Sequence, residues 1–312
     1  MAVFEGLTQV HFDAYTEEKW SSMVHNLARM KAKDALGSLV ERLKADHTIS
    51  YGGMVTGASD EIPNISNGKK VDAQWFYWYR EQSQRNSLNK ILDRLELSSA
   101  TVFQTAPQDK HIIIGLKLDA KMLSTGIFMA PTASVDRRNL RARLEQTRGR
   151  EKAHALFQDA PPNLSITFDT LDKPLKEVSE DDLEHLASML SEQRDETLFI
   201  GRVFTSEDSV QLGTSLSEEL QQVLAPLEPF YRFLAWSRDN DSIDVGKEIE
   251  LQKKVKQEKA LKHQVGDKVR IVAGLLAGKR GVIDSLDGKG KAKVSVGLMS
   301  MQVSMSDLVA DS

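Results

Sequence analysis

The side chains able to do chemistry are few in kind. The 312-residue chain holds no cysteine, which removes disulfides, thiolate nucleophiles and cysteine-ligated zinc, and leaves histidine, carboxylates and hydroxyls as the reactive groups. Its seven histidines, at positions 11, 25, 47, 111, 154, 185 and 263, are scattered. None of the spacings HxH, HExxH or HxxxH sets two imidazoles on one face for a metal. GxSxG elbows, Walker A loops and GxGxxG turns are missing too, and with them the commonest hydrolase and nucleotide-binding signatures. The sequence therefore implies no metal site and no cofactor, names no catalytic residue, and favours a non-enzymatic protein. Acid/base pairs need no local motif, so an enzyme acting on nucleic acid or a nucleotide stays open as an alternative. A regulatory protein that senses a small ligand is a third reading.

What the sequence does offer is cations able to meet an anion. Formal net charge is −4, which argues against coating nucleic acid through the whole surface. The balance is uneven: residues 246–312 carry +5 and residues 1–245 carry −9. Near the C-terminus, Lys268, Arg270, Lys279, Arg280, Lys289, Lys291 and Lys293 stand on or between tight turns, where they can reach phosphates. Residues 264–312 also hold five acids and no aromatic side chain, so base stacking is unavailable there and backbone or protein contact is favoured. A bland alternative is that these lysines are solvated turns on a protein-docking module. In the larger part of the chain, Arg137, Arg138 and Arg141, continued by Arg143, Arg148 and Arg150, form the best basic patch. Arg80 and Arg85 follow five successive aromatics at 75–79, which offer either stacking surfaces or core.

Those groups must be held by recognisable elements. From Phe12 to Asp46, Trp20, Met23, Val24, Leu27, Met30, Leu36, Leu39, Val40 and Leu43 recur at steps of three and four, the stripe of an amphipathic helix that Gly37 divides. Residues 48–70 read as loop or short strands, the aromatic run as a strand, and 81–97 as a helix. HIIIGLKLD and STGIFMAP predict neighbouring strands. Residues 134–156 predict one solvent-facing helix with Ser134 as its N-cap, then LSITFD a strand and LDKP a turn. Ser179 caps a helix whose first turn holds Glu180, Asp181 and Asp182, where the helix dipole favours acids. LFIGRVF predicts a buried strand, and SLSEELQQVLAPLEPFYRFLAW a helix broken near Pro226 and Pro229. Strands separated by helices indicate an α/β domain over residues 1–240, a mixed sheet with flanking helices. Residues 241–263, rich in Lys, Glu and Gln, suit a charged helical linker.

From residue 264 the texture changes. Seven of the 19 glycines fall in these 49 residues, and KVRIV, GVIDS, AKVSV and MQVSM alternate apolar with polar positions at strand length. A small all-β barrel over 264–312 is expected, since closure removes exposed edges. Gly266, Asp267, Val269, Ile271, Gly274, Gly278, Gly281 and Ile283 fit the pattern GDxVxVxxGxxxGxxGxV. This stretch resembles the KOW motif, an SH3-like fold, and its continuation VSVGLMSMQVSMSDL is most similar to the KOW-type segment of the bacterial MutS2 family. The resemblance implies turn roles for Gly266, Gly274, Gly278 and Gly281, and contact with RNA, the ribosome or RNA polymerase. In the larger domain, FEGLTQVHFDAYTEEKWSSMVHNLARMKAKDALGSLVERL and LDKPLKEVSEDDLEHL, followed by LFIGRVFTSEDSV and LAPLEPFY, resemble the bacterial YktB family. That likeness implies an α/β fold and transfers no activity.

The start, MAVFEGLTQVHF, has no basic region followed by an apolar run, and no segment approaches the ~18 apolar residues that span a bilayer. The expectation is a cytoplasmic, soluble protein without membrane contact, in which a KOW-like barrel recruits an α/β domain. Oligomeric state is not legible.

Overall fold

Apolar and aromatic residues that alternate along a strand can serve two faces of one sheet, and the strands here do so. The computed structural model describes residues 4–45, 51, 53–65, 67–94, 106–191, 195–243, 264–272, 277–287, 291–297 and 299–310. The chain divides into two units, Met1–Ile243 and Asp244–Ser312. The first is built on strands β1 (Val55–Ala58), β2 (Ala73–Tyr79), β3 (Ile113–Asp119), β4 (Met122–Met129), β5 (Ser165–Phe168), β6 (Leu171–Pro174) and β7 (Leu198–Thr205). Their order in the sheet is β1-β2-β3-β4-β7-β5-β6. Interleaved in the chain are helices α1 (Gln9–Asp13), α2 (Asn26–Ala45), α3 (Gln82–Arg94), α4 (Pro107–Lys110), α5 (Ser134–Leu144) and α6 (Thr147–Gln158). They are followed by α7 (Glu180–Ser191), α8 (Ser206–Leu212), α9 (Leu216–Leu224) and α10 (Leu227–Leu234).

The mixture of α and β is as the sequence implies, but the sheet itself is not mixed. Every pairing in it is antiparallel. The reason lies in strand order: β4 and β5 run the same way, and β7 inserts between them in the opposite sense. Helices between successive strands therefore did not produce parallel neighbours. Ile114, Leu116 and Leu118 of β3, with Leu123, Ile127 and Met129 of β4, join one core with α2, α5, α6, α7, α9 and α10. On the opposite face, Tyr77, Ile113, Phe128 and Phe199 form a smaller cluster flanked by Trp75 and Tyr79.

Several local expectations are corrected. The single helix over 134–156 is two, α5 and α6, and Ala133 rather than Ser134 precedes the first turn. At the corner, a Cβ on Gly149 would lie 1.8 Å from the Arg143 carbonyl oxygen, so only glycine admits this approach of the two helices. LDKP is not merely a turn; it pairs as β6 with β5. α2 runs unbroken through Gly37, whereas the chain before Asn26 forms short 3₁₀ turns. Leu36, Leu39, Val40 and Leu43 of α2 are buried; Met23 and Val24 in the turns are exposed, and so are Leu27 and Met30, which lie on α2 away from its buried side. The turns ahead of α2 are tied by the buried Arg29, whose guanidinium donates to the carbonyls of Lys19, Ser22 and Glu61. The helix break falls at Pro226, with Pro229 in the first turn of α10, where a missing N–H leaves no bond unmade. α7 begins as expected: Ser179 Oγ accepts from the Asp182 N–H at 3.2 Å, and Asp182 Oδ2 accepts from the Ser179 N–H at 2.8 Å.

The C-terminal unit is a sheet of β8 (Lys268–Ile271), β9 (Arg280–Leu286), β10 (Lys291–Val296), β11 (Met299–Ser304) and β12 (Leu308–Ala310), all antiparallel, in the order β11-β10-β9-β8-β12. It curls as a half-barrel. Among the described residues β11 and β12 do not pair, so closure into a barrel is not reached. Val269, Ile271, Ile283, Ala292, Val294, Val303, Met305 and Leu308 fill its core. Gly266 and Gly278 adopt φ of +96° and +85°, the left-handed region that favours glycine. A Cβ on Gly281 would meet the Ser295 carbonyl oxygen at 2.6 Å. Gly274, Lys289 and residues 244–263 of the expected linker lie outside the described residues. Among the described residues no helix is long and apolar enough to cross a membrane.

Candidate functional site

Alternation along the C-terminal strands decides where the cations go. In β8, Val269 and Ile271 are buried and Lys268 and Arg270 exposed; in β10, Ala292 and Val294 are buried and Lys291 and Lys293 exposed. Arg270 pairs with Arg280, Lys268 with Val282, and Lys293 with Ser285. Lys268, Arg270, Arg280, Lys291 and Lys293 therefore share the outward face of one sheet. Lys279 is exposed in the turn before β9. A bulge between Lys293 and Val294 sets Asp284 against that face, where its carboxylate accepts from Ser295 Oγ at 2.6 Å and Ser300 Oγ at 3.2 Å.

The arginines of the larger unit are not brought together in this way. Arg137 is buried, donating to the Glu196 carbonyl at 3.4 Å with its guanidinium 5.3 Å from the Phe168 ring centre. Arg143 donates to the carbonyls of Phe233 and Asn240, and Arg150 to those of Leu144 and Glu145. Arg141 is held by Glu145 at 2.7 Å, and Arg138 is exposed. Half of this cluster serves to join helices, so the expected basic face is reduced to Arg138, Arg141 and Arg148. The aromatic run belongs to the sheet: Trp78 lies in the main core, and Trp75 meets Phe128 edge-on at 4.9 Å.

Arg80 has a different fate. It follows β2, is only 2% exposed, and its Nη2 donates to Asp136 Oδ1 at 2.7 Å. Asp136 is equally buried in the first turn of α5; its Oδ1 also accepts from the Trp236 N–H at 2.7 Å and its Oδ2 from the Ile112 N–H at 3.4 Å. One carboxylate thus ties together the end of β2, the approach to β3, α5 and the segment after α10. Burial opposes the charge on Arg80 most strongly of any single influence, but the facing Asp136 and the hydrogen-bonded Tyr231 together outweigh it, so the guanidinium's pKa stands above its ordinary value. His111 stacks on Tyr79 at 6.1 Å between ring centres. Burial first, and then the charge of Arg80, push its imidazole down to about 4.

No protein-family model matches the chain, and no curated protein matches it. Among the described residues no group of three or more His, Asp or Glu is placed to hold a metal ion. Sequence reasoning reached Arg80 as a cation beside aromatics but missed Asp136, His111, Tyr231 and Trp236 as its neighbours. The only local signal was an acid in the first turn of a helix, which reads equally well as a partner of the helix dipole.

Proposed function

We propose that the protein docks on RNA through the outward face of its C-terminal sheet and that this contact recruits the larger domain. The observation that carries the reading is the shared face of Lys268, Arg270, Arg280, Lys291 and Lys293. Five cations on a curled sheet without an aromatic side chain suit the phosphate backbone and offer little for reading bases. The reading takes this unit as an SH3-like KOW module and the larger one as a YktB-like domain in the cytoplasm. RNA free, in the ribosome or emerging from RNA polymerase presents the same phosphate chemistry.

Fluorescence anisotropy of a labelled single-stranded RNA titrated with the full chain tests it. If each of the five cations neutralises one phosphate, the slope of log affinity on log salt is about −3.5, and affinity falls about 130-fold between 50 and 200 mM salt. Lys268→Gln with Lys293→Gln removes two contacts and lowers the slope to about −2.1, a fall of about 20-fold over the same range. Absence of RNA binding, or a slope that the double variant leaves unchanged, refutes the phosphate contact and leaves the sheet as a protein-docking surface.

A further inference from the structure

An edge strand leaves every second N–H and C=O unpaired, and an extended chain can add to it unless the sequence guards it. Among the described residues the two sheets end in four edges, β1 and β6 in the larger unit and β11 and β12 in the C-terminal one. Three of the four are short or guarded. β6 carries Asp172, Lys173 and Pro174 among its four residues. β12 has three residues and follows directly on Asp307. β1 has four, one of them Gly57, which brings no side chain to a partner. β11 is different: it has six residues, Met299–Ser304, with neither proline nor glycine. No charged residue lies between Lys293 and Asp307. Its register with β10 runs without a bulge from Ser304 opposite Lys291 to Met299 opposite Val296, so no bulge turns the free edge away.

The two faces of β11 decide what kind of strand fits beside it. Met299, Met301 and Val303 lie opposite Val296, Val294 and Ala292, on the side of the small core. Ser300 and Gln302 lie opposite Ser295 and Lys293, on the outward side. Met299 is 67% exposed and Met301 half-buried, so the apolar side reaches the edge incompletely covered. An antiparallel neighbour sets residues of one face opposite residues of the same face. A second copy of β11, related by a two-fold axis normal to the sheet through Met301 or Gln302, meets that condition by symmetry. Met and Val then face Met and Val, Ser and Gln face Ser and Gln, and no like charges are opposed. A charged strand would find no counter-charge on β11 itself.

We propose that two copies of this chain associate by antiparallel pairing of their β11 strands, joining their C-terminal sheets edge to edge. Each copy gains backbone hydrogen bonds along the strand and cover for Met299 and Met301. Contact through one short strand belongs with the small interfaces, below about 1,200 Å², so the pairing is transient and depends on concentration. The inference concerns the edge of the sheet and is independent of RNA docking, which uses the outward face.

Sedimentation velocity of the full chain, without RNA, tests it. The weight-average mass should rise from the 34.9 kDa of one chain towards twice that value as concentration is raised from ~5 to ~500 µM, the range of a weak, small interface. Ser300→Lys with Gln302→Lys, and separately Ser300→Glu with Gln302→Glu, set like charges opposite one another whichever of the two residues the axis passes through. Each double variant alone should associate about tenfold more weakly than the wild type, or less. An equimolar mixture of the two should associate at least as strongly as the wild type, because opposite charges then meet, and that association also shows that both variant strands are formed. A wild-type chain that stays single at ~500 µM, charge variants that each associate as well as the wild type, or a mixture that does not associate overturns the assignment.

Discussion

Replacing Asp136 with Asn keeps the shape of the side chain and removes its charge. Arg80 is then a cation, 2% exposed, without a counter-ion. Breaking a buried pair from one side costs about 3–5 kcal/mol, because the remaining charge cannot recover its hydration. The Asn carbonyl can still accept from the Trp236 N–H, so that bond survives. Arg80→Met strands the carboxylate instead, cushioned by the N–H groups of Trp236 and Ile112, and a similar penalty of about 3 kcal/mol or more is expected. The double variant leaves no uncompensated charge. It should therefore cost no more than the worse single variant, a coupling of about 3 kcal/mol or larger. Urea denaturation of the full chain, followed by far-ultraviolet circular dichroism with the midpoint and slope fitted for the large unit, measures all four corners of the cycle. If the two single costs add within about 0.5 kcal/mol, or if Asp136→Asn costs less than about 1 kcal/mol, the pair is not the buried, mutually dependent unit argued here.

His111 supplies a pH prediction from the same region. Its folded pKa of about 4 lies below the ordinary 6.5 because burial excludes the charged ring. Below pH 6.5 the unfolded chain takes up a proton that the folded chain refuses, so this residue's contribution is full above pH 6.5 and drains as pH falls towards 4. The loss at its limit is about 3 kcal/mol. His111→Phe should flatten the stability profile between pH 6.5 and 4 in urea titrations; an unchanged slope rejects the buried neutral ring. At the corner of α5 and α6, Gly149→Ala sets a methyl 1.8 Å from a backbone oxygen that no rotamer change can move. A loss of about 1–3 kcal/mol is expected, visible as a lower urea midpoint, and a variant as stable as the wild type contradicts the close approach.

Much of the fold could be read because each signal was local. Alternation in HIIIGLKLD and STGIFMAP needs only a sheet beneath it, and β3 and β4 pair from Ile113 opposite Phe128 to Leu118 opposite Leu123. Ser179 and the acids after it mark α7 by chemistry that acts within one turn. Errors arose where a long-range contact overrode the local pattern. Met23 and Val24 fall where the backbone before Asn26 winds into 3₁₀ turns tied by Arg29, and Leu27 and Met30, though inside α2, lie off the side that buries Arg29, Ala32 and Leu36, so apolar spacing alone did not mark the core face. α5 and α6 read as one helix because a break at a helix corner needs no proline when glycine lets two backbones touch. The sheet was expected to be mixed because strand order is a property of the whole chain: β7 slips between β4 and β5 only after α7 has returned to that edge.

The basic face and the buried pair differ in legibility for the same reason. The period of two that buries Val269 and Ile271 necessarily turns Lys268 and Arg270 outward, so a basic face follows from sequence once the strands are granted. The Arg80–Asp136 pair has no such rule. It spans 56 residues and the Asp136 bond to the Trp236 backbone spans 100. Tyr231 and Trp236 sit in an aromatic-rich helix end that reads simply as core. What marks the pair is accounting rather than residue type: the Asp136 carboxylate accepts from Arg80 and from the Trp236 and Ile112 N–H groups, so its loss strips an acceptor from three donors at once.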